Sequence, residues 1–360
     1  MNRPATRGRW GSDRFPTGRP TRRTPLGLVC RLAVGVVVLA TAAACVPTQP
    51  GGAGDVPETT PTVGVTYDLQ GHRGARGLRP ENTLPSVEAA LDAGVSTVEL
   101  DLHLSSDGRV VVWHDPKVDP SKCGVDPAAS ILVPDPDVVA TGSVELMVSR
   151  LTVAELGSYR CDRNPDPSAF PDQTVVDSGL AGDRYGIVEL GEVLDFVDAY
   201  SREGALGERA GRVEFNVELK RRPDHPEYID DNFDGVAPGA FELALVDEID
   251  ARELWDRVVV QSFDHRSLWA LRSVAPQVRL SVLTRRGDLT DFEGWVTQGA
   301  SIWSPDWRDV DEATLAAAHE AGLEVIPWTV NDPEVMRRLI GLGVDGIITD
   351  RPDLAPEGQH

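Results

Sequence analysis

Residues 99–115, ELDLHLSSDGRVVVWHD, alternate polar and apolar residues on either side of a short turn. Glu99, Asp101 and His103 alternate with leucines. Successive side chains of a β-strand point to opposite faces, so these three polar side chains share one face. A Ser-Asp-Gly turn then reverses the chain, and the alternation resumes as far as His114. Two carboxylates two residues apart, with a histidine brought back beside them, predict a site for a hard cation and for acid–base chemistry.

An apolar strand with a polar residue at its carboxyl end recurs along the chain. Eight strands separated by helix-length stretches are predicted, at residues 65–70, 96–102, 213–219, 258–263, 278–283, 300–303, 323–330 and 346–349. Eight such units predict a TIM (β/α)8 barrel, an α/β fold whose site lies at the carboxyl ends of parallel strands. An open doubly wound sheet fits the alternation nearly as well. The barrel is favoured by the polar residues at the strand ends, which are His72, Asp101, Glu218, Gln261, Trp328 and Asp350.

The domain boundaries follow from changes in composition. Residues 65–354 hold the alternating strands and helices and predict one barrel domain. Within it, residues 119–186 are rich in Asp, Pro and Ser and interrupt the pattern, which predicts an insertion after the second strand. Residues 45–64 predict a linker rich in Pro, Gly and Thr, and residues 355–360 a short tail.

Residues 1–44 have the composition of an export signal. The first 31 residues carry eight arginines and one acid, and an apolar run of 13 residues follows. That run is shorter than the roughly 20 residues that span a bilayer. Three alanines precede Cys45, which resembles the lipidation site of a bacterial lipoprotein, although Cys45 could instead lie near an ordinary cleavage site. We therefore expect an exported protein that is either anchored to the cell membrane through Cys45 or secreted.

The chain without the predicted signal is strongly acidic. Its 27 basic and 56 acidic residues give a net charge of −29. Such a surface repels nucleic acid and anionic lipid and can collect divalent cations. A nucleic-acid partner is therefore not expected.

Two cysteines, Cys123 and Cys161, lie in the predicted insertion. Outside the cytoplasm, an even pair that flanks a segment rich in Pro and Asp is typical of a disulfide and less typical of a metal or catalytic site. We expect a disulfide between them, and the alternative is two free thiols.

Several short motifs occur in the order and spacing of a known family. They are HRG and PENT in residues 72–83, the ExD, DG and HD of residues 99–115, ELK at 218–220, QSF at 261–263, WTVN at 328–331 and DGIITDRP at 345–352. Together they resemble the glycerophosphodiester phosphodiesterases. The resemblance spans residues 65–354. It implies a TIM barrel, a divalent metal cofactor, and hydrolysis of glycerophosphodiesters to an alcohol and glycerol 3-phosphate.

The resemblance gives the polar residues roles that suit their chemistry. Glu99, Asp101 and Glu218 are the expected metal ligands, and three carboxylates suit Ca²⁺ or Mg²⁺ better than a tetrahedral zinc site. His72 and His114 resemble the general acid and base of the family, since the pKa of histidine lies near the working pH. The sequence does not say which histidine is the acid and which the base.

Five further residues are expected to contact the substrate. Arg73 and Lys220 would bind the phosphate, although Lys220 could pair only with the carboxylate two residues before it. Glu81 matches the PENT loop and could instead orient Arg73. Phe263 and Trp328 would form an apolar wall for the glycerol or the leaving alcohol, unless they belong only to the core.

Some polar residues fall outside these roles. His103 shares the inward face with the predicted ligands but matches no catalytic position of the family, so we expect it in the core or behind the site. Asn82 could cap the following helix. Asp345 and Asp350 are expected to fix the last strand and its loop.

Three functions are compatible with these residues. The leading one is a metal-dependent glycerophosphodiesterase. A second keeps the barrel and the metal but acts like a phospholipase D on lysolipids, or on glycerophosphate polymers of the cell wall. A third is a surface lipoprotein that binds a phosphorylated ligand without turnover, which the presence of both His72 and His114 disfavours. The headgroup, the choice of metal and the oligomeric state are left open by the sequence.

Overall fold

The computed structural model describes residues 66–140 and 142–356. The predicted export signal, the linker and Cys45 lie outside the described residues. Among the residues that are described, no helix is both long and apolar enough to cross a membrane.

Parallel strands closed into a barrel form the centre of the fold. The strands of the described chain are β1 (Asp68–Gly71), β2 (Thr97–Leu104), β3 (Val110–Val112), β4 (Gly124–Val125), β5 (Tyr159–Arg160), β6 (Val188–Glu189), β7 (Glu214–Leu219), β8 (Val258–Ser262), β9 (Arg279–Thr284), β10 (Ile302–Pro305), β11 (Glu324–Val325) and β12 (Gly346–Thr349). Around the barrel the order is β1, β2, β7, β8, β9, β10, β11 and β12, and β12 pairs in parallel with β1.

Backbone hydrogen bonds close the barrel between its last two strands. The Asp345 amide donates to the Val325 carbonyl over 3.0 Å, and the Ile348 amide donates to the Pro327 carbonyl over 3.0 Å. The predicted TIM barrel is therefore confirmed, and the open doubly wound sheet is wrong for this chain.

Helices cover the outside of the barrel. They are α1 (Leu84–Asp92), α2 (Val153–Leu156), α3 (Leu190–Glu203), α4 (Gly207–Ala210), α5 (Ala240–Asp250), α6 (His265–Val274), α7 (Phe292–Thr297), α8 (Glu312–Ala321) and α9 (Pro333–Leu342). The barrel strands from β1 to β11 are each followed by at least one of these helices before the next barrel strand, and three helices lie between β2 and β7. Apolar residues of the strands and of the inner helix faces form one continuous core, in which Leu100, Val217 and Val260 are fully buried.

Two local expectations differ from the structure. The strand predicted at residues 323–330 ends at Val325, and the chain then continues through Pro327, which has no amide hydrogen to donate to a ladder. The cap of α1 is Thr83 and not Asn82, since the Thr83 side chain accepts the Ser86 amide.

The segment that the sequence identified as an insertion has an apolar cluster of its own. Leu156 and Tyr159 are buried there together with Trp113, which precedes the segment, and β4 pairs antiparallel with β5. Cys123 and Cys161 form a disulfide in this cluster, with the two sulfur atoms 2.11 Å apart. The segment is thus a packed addition to the barrel.

Candidate active site

A cavity of about 350 Å³ opens at the carboxyl ends of the barrel strands. It brings together eight of the residues that the sequence predicts to form the site: His72, Arg73, Glu99, His114, Glu218, Lys220, Phe263 and Trp328. His103, Arg76, Gln261 and Arg285 also line it. This is the end of a TIM barrel at which active sites are built.

The pairing of β2 with β7 brings three carboxylates together at the base of the site, where Glu99 and Glu218 line the cavity and Asp101 is not among its lining residues. Asp101 lies opposite Glu218 in the parallel register, and Glu99 lies two residues earlier on the same face of β2. Each of the three offers one oxygen, and these atoms all lie within 4.8 Å of one another. All three residues are buried.

Hydrogen bonds orient these carboxylates without satisfying all of their oxygens. Gln261 Nε2 donates to Glu99 Oε1 over 2.9 Å, and the backbone amide of Arg73 donates to Glu99 Oε2 over 2.9 Å. Asn82 Nδ2 donates to Asp101 Oδ2 over 2.8 Å. Asp101 Oδ1 is buried and accepts no hydrogen bond from the described part of the chain.

The surroundings raise the pKa values of Glu99 and Glu218 and lower the pKa of Asp101. Burial raises the pKa of Glu99 well above its usual value, and the charges of Asp101 and Glu218 raise it further. Burial also raises the pKa of Glu218, against the opposing charge of Lys220. For Asp101 the upward effect of burial is outweighed by Arg73 and Lys220, which hold its pKa well below the usual value.

These features fit a divalent cation. Buried carboxylates repel one another, and a cation between them would relieve that repulsion. The donor set consists of oxygen atoms alone, which suits a hard cation. Asp101 Oδ1 accepts no hydrogen bond in the described part of the chain, although Lys220 Nζ lies 3.4 Å away.

His72 is held by a carboxylate from the last strand. Its Nδ1 lies 2.6 Å from Asp350 Oδ1, and its Nε2 lies 3.8 Å from Glu99 Oε2. Although burial alone would raise the pKa of Asp350, His72 and Arg76 hold it well below its usual range, so Asp350 accepts and His72 Nδ1 carries the proton. The Nε2 lone pair is then directed toward the floor of the cavity.

His114 has a similar partner in the next residue of the chain. Its Nδ1 lies 2.7 Å from Asp115 Oδ1. Burial, together with the charges of Arg73 and Lys220, lowers the pKa of His114 to about 4. The two histidines therefore reach the cavity from different loops, each with its Nδ1 on a carboxylate.

His103 lies closer to the cavity than the sequence indicated. It is buried, lines the cavity, and its Nε2 lies 3.2 Å from the carbonyl oxygen of His114. Burial lowers the pKa of His103 to about 4, which keeps the ring neutral at physiological pH. We assign it to the support of the His114 loop.

Arg73 links two of the motifs. Its Nη1 donates to Glu81 Oε1 over 2.9 Å, and its Nε lies 3.0 Å from Asp101 Oδ2. The backbone of Arg73 has a φ of 51°, an unusual conformation for a residue with a side chain. At the next residue, Gly74, an added Cβ would lie 2.5 Å from the Ser86 carbonyl carbon, so glycine is required where this loop packs on α1.

Glu81 lies behind Arg73 and is not among the residues that line the cavity. Besides Arg73, its carboxylate pairs with Arg76 over 3.3 Å and with Lys122 over 2.8 Å. These contacts agree with the alternative that Glu81 orients Arg73.

Lys220 and two aromatic residues complete the walls. Lys220 Nζ lies 2.9 Å from Glu218 Oε1 and 3.4 Å from Asp101 Oδ1, so it pairs with both predicted ligands and also faces the cavity. Phe263 and Trp328 are in edge-to-face contact, with ring centroids 5.5 Å apart. Neither aromatic is fully buried. They form one wall of the cavity.

Sequence reasoning missed three residues that hold the predicted ones in place. Asp350 was recognised as a strand-end residue, but its contact with His72 was not predicted. Asp115 belongs to the quoted HD motif, which was the available signal. Lys122 lies in the insertion, and nothing in the local sequence distinguished it from a surface lysine.

The sequence matches one family over most of its length. The model of the Glycerophosphoryl diester phosphodiesterase family matches residues 72–354. A glycerophosphodiester phosphodiesterase of Bacillus altitudinis is 29% identical over 286 residues, which cover 79% of this chain and 94% of that protein. A protein of the same name from Caldanaerobacter subterraneus is 27% identical over 284 residues, which cover 78% of this chain and 93% of the other.

Solved structures agree with the sequence comparison. A crystal structure from Silicibacter pomeroyi, provisionally named a glycerophosphoryl diester phosphodiesterase, has a TM-score of 0.63 at 28% identity and covers 82% of this chain and 92% of its own. A phosphodiesterase of Oleispira antarctica, solved with the product sn-glycerol-3-phosphate, has a TM-score of 0.58 at 19% identity and covers 79% and 94%. The second likeness concerns the fold alone.

Proposed function

The chain belongs to the glycerophosphoryl diester phosphodiesterase family and is a glycerophosphodiester phosphodiesterase, and we propose that it works with a divalent metal held by Glu99, Asp101 and Glu218 and with His72 and His114 as acid and base. The observation that carries this proposal is the cluster of three buried carboxylates, two of which line one cavity together with two carboxylate-held histidines.

The site must bind an anionic phosphodiester although the protein itself carries a net negative charge. Arg73 and Lys220 present cations to the cavity, each placed by neighbouring carboxylates. The guanidinium group offers a planar fork of donors to phosphate oxygens, and the ammonium group acts as a point charge. Ca²⁺ or Mg²⁺, when bound at the three carboxylates, would supply further positive charge for the phosphate oxygens as the P–O bond breaks.

The site must also move two protons. One histidine takes the proton of the attacking oxygen, and the other gives a proton to the leaving alcohol. Burial lowers the pKa of His72 as well as that of His114, so in the free protein both rings are neutral at pH 7. The arriving phosphate anion favours the charged form of a nearby imidazole, which would prepare one of the two rings as the acid.

The products follow from the bond that is broken. Hydrolysis of the ester bond to the headgroup releases an alcohol and leaves glycerol 3-phosphate in the cavity. The wall of Phe263 and Trp328 offers apolar surface for the carbon backbone of the glycerol or of the leaving alcohol.

A headgroup panel with metal control tests the proposal. Purified protein is incubated with glycerophosphocholine, glycerophosphoethanolamine and glycerophosphoglycerol, and glycerol 3-phosphate is measured with Ca²⁺, Mg²⁺ or a chelator. We expect release only with metal, and a loss of at least about 10²-fold in His72→Ala and His114→Ala. His319→Ala is the matched control, since His319 pairs with Asp345 and does not line the cavity. Full activity in chelator, or in either site variant, would contradict the proposed mechanism.

We also propose that the protein is exported and that Cys45 carries a lipid anchor. The arginine-rich start, the apolar run of 13 residues and the alanines before Cys45 support this proposal. Residues 45–64 would then join the anchor to the barrel domain in the sequence. Expression of the full chain and of Cys45→Ser in a bacterium, followed by separation of membranes, tests it. Wild-type protein in the membrane pellet and variant protein in the soluble fraction are expected, and equal distributions would contradict the anchor.

A further inference from the structure

Lys122 of the insertion lies between the two loops that carry the candidate catalytic residues. Its Nζ lies 2.8 Å from Glu81 Oε1 and also contacts Asp115 Oδ2. Glu81 belongs to the loop before α1, and Asp115 directly follows His114. Only 13% of the Lys122 side chain is exposed. An ammonium group so buried between two carboxylates is a fixed part of the structure.

Lys122 lies among residues that could together bind a cation, and its own ammonium group provides the positive charge there. Glu81, His114 and Asp115 each offer a ligand atom, and these atoms lie within 4.8 Å of one another. The Lys122 ammonium contacts two of the three residues. Burial would raise the pKa of Glu81, but the charges of Arg73 and Lys122 hold it well below the usual value.

From Lys122 two short chains of contacts lead to the reacting groups. One runs through Asp115 to His114 Nδ1, which is 2.7 Å from Asp115 Oδ1. The other runs through Glu81 to Arg73 Nη1, over 2.9 Å. One side chain of the insertion therefore ties the position of a proton-transfer group to that of a phosphate-binding group.

The backbone of Lys122 is itself fixed. Its amide donates to the Asp119 carbonyl over 3.0 Å, and its carbonyl accepts from the Arg163 amide over 3.0 Å. The next residue, Cys123, is joined to Cys161. The disulfide thus lies one residue from the lysine and restrains the loop that presents it.

We propose that Lys122 is a positioning residue of the phosphodiesterase site, and that the insertion completes this site by supplying it. The inference rests on the proposed function, because it assumes that His114 and Arg73 act on the substrate. Lys122 does not line the cavity, so it acts through Asp115 and Glu81 and not on the substrate itself.

Three lysine variants test the proposal. Lys122→Met keeps the length of the side chain and removes its charge, and we expect kcat/KM to fall about 10- to 100-fold, since small displacements of catalytic groups have effects of this size. Lys122→Arg keeps the charge and should recover most of the loss. Lys117→Met is the matched control, because Lys117 lies just before the insertion and contacts the Gly142 carbonyl instead of Glu81 or Asp115. If Lys122→Met does not fold, Lys122→Gln, which keeps a donor, replaces it in every comparison.

A double-mutant cycle separates positioning from a loss of stability. If Lys122 acts through Asp115, Lys122→Met should reduce kcat much less in an Asp115→Asn background than in the wild type. Strictly additive losses, or activity of Lys122→Met within twofold of the wild type, would overturn the proposal. An equal loss in Lys117→Met would overturn it as well.

Calorimetric binding of glycerol 3-phosphate distinguishes this inference from the function on which it rests. A wild type that neither binds glycerol 3-phosphate nor hydrolyses any diester overturns the proposed function. A wild type that does both, beside a Lys122→Met protein of equal affinity and equal kcat, overturns only the role of Lys122. Weaker binding together with a lower kcat in Lys122→Met is the expected result, because Arg73 and His114 both lose their support.

Discussion

The Nδ1 atom of His72, on the first loop of the barrel, lies 2.6 Å from Oδ1 of Asp350 at the end of the last strand. Because β12 pairs with β1, residues 278 positions apart meet at the point where the barrel closes. Asp350 also accepts from Arg76 Nε over 2.6 Å and from Asn331 Nδ2 over 2.6 Å, so the carboxylate cannot turn away from the ring. Closure of the fold thus sets the tautomer and orientation of His72.

The first prediction concerns this pair. In Asp350→Asn the amide can donate to His72 Nδ1, which would move the ring proton to Nε2 and remove the lone pair from the cavity. We expect kcat to fall by about 10² to 10⁴, the range found when an orienting aspartate is replaced in other histidine-based sites. KM for the diester should change little. Steady-state kinetics with saturating metal measure both constants, and Asp353→Asn, which removes only a partner of Arg351, serves as the control.

A contrary outcome would be a variant with normal kcat. In that case the tautomer of His72 would not matter, and Asp350 would serve only to fix Arg76 and the last loop.

The second prediction concerns the metal. The carboxylates of Glu99, Asp101 and Glu218 are buried and close together, so a divalent cation should stabilise the folded protein as well as support turnover. Binding at a hundred times the dissociation constant contributes about 2.7 kcal/mol, and we expect Ca²⁺ or Mg²⁺ to raise Tm by several degrees. Glu218→Gln should lose both the Tm shift and the activity, whereas Glu248→Gln, on α5, should keep both.

Thermal unfolding with and without chelator measures this effect directly. An unchanged Tm in the wild type at millimolar metal would contradict the assignment of these ligands, whatever the activity shows.

The barrel was predictable because its strands have a simple signature. Each is a short, largely apolar run, and the residues that form the site lie within it or shortly after it, as Glu218 does inside β7 and Lys220 directly after it. The end of β11, the strand after α8, was harder to predict. Pro327 interrupts the ladder of backbone hydrogen bonds, although the chain continues in the same direction. Periodicity predicts the course of the backbone better than it predicts where hydrogen bonding stops.

The candidate site was predictable where its residues lie in motifs and not where they meet from distant segments. Asn82 illustrates the limit, because its position before a helix suggests a cap, yet its side chain donates to Asp101. Lys122 lies 41 residues from Glu81, and no local pattern indicates that the two meet. Contacts of this kind depend on how the insertion packs on the barrel, which alternation and spacing do not determine.

The third prediction concerns the charge at the cavity mouth. The cations that line the cavity are Arg73, Arg76, Lys220, Arg221, Arg222 and Arg285. Of these six, Arg285 is the one without a carboxylate in the ion pairs of the described chain, and its guanidinium carbon lies 4.1 Å from the centroid of the Phe263 ring. Its uncompensated charge should attract an anionic diester into a protein whose net charge is strongly negative.

Arg285→Glu should therefore raise KM about 3- to 10-fold at low salt and leave kcat unchanged, and the effect should shrink as salt is added. Arg286→Glu is a matched control, because it makes the same change one residue away and does not line the cavity. Equal increases in KM for the two variants would mean that only the overall charge matters.

The fourth prediction concerns the contribution of Asp115 to the stability of the protein at low pH. Burial would raise the pKa of Asp115, but the hydrogen bond to His114 and the charge of Lys122 lower it to about 2 in the folded protein, from a usual value of 3.8. A carboxyl group whose pKa is lower in the folded state stabilises that state while it is ionised. The contribution, on the order of 2 kcal/mol, is complete above about pH 5 and is lost as the pH falls through 2.

Urea unfolding of the wild type and of Asp115→Asn at pH 6 and at pH 3 measures this contribution. We expect the gap between the two free energies of unfolding to narrow by about 1 kcal/mol at the lower pH. A gap that stays constant would show that Asp115 does not depend on its charge to hold His114 and Lys122 in place.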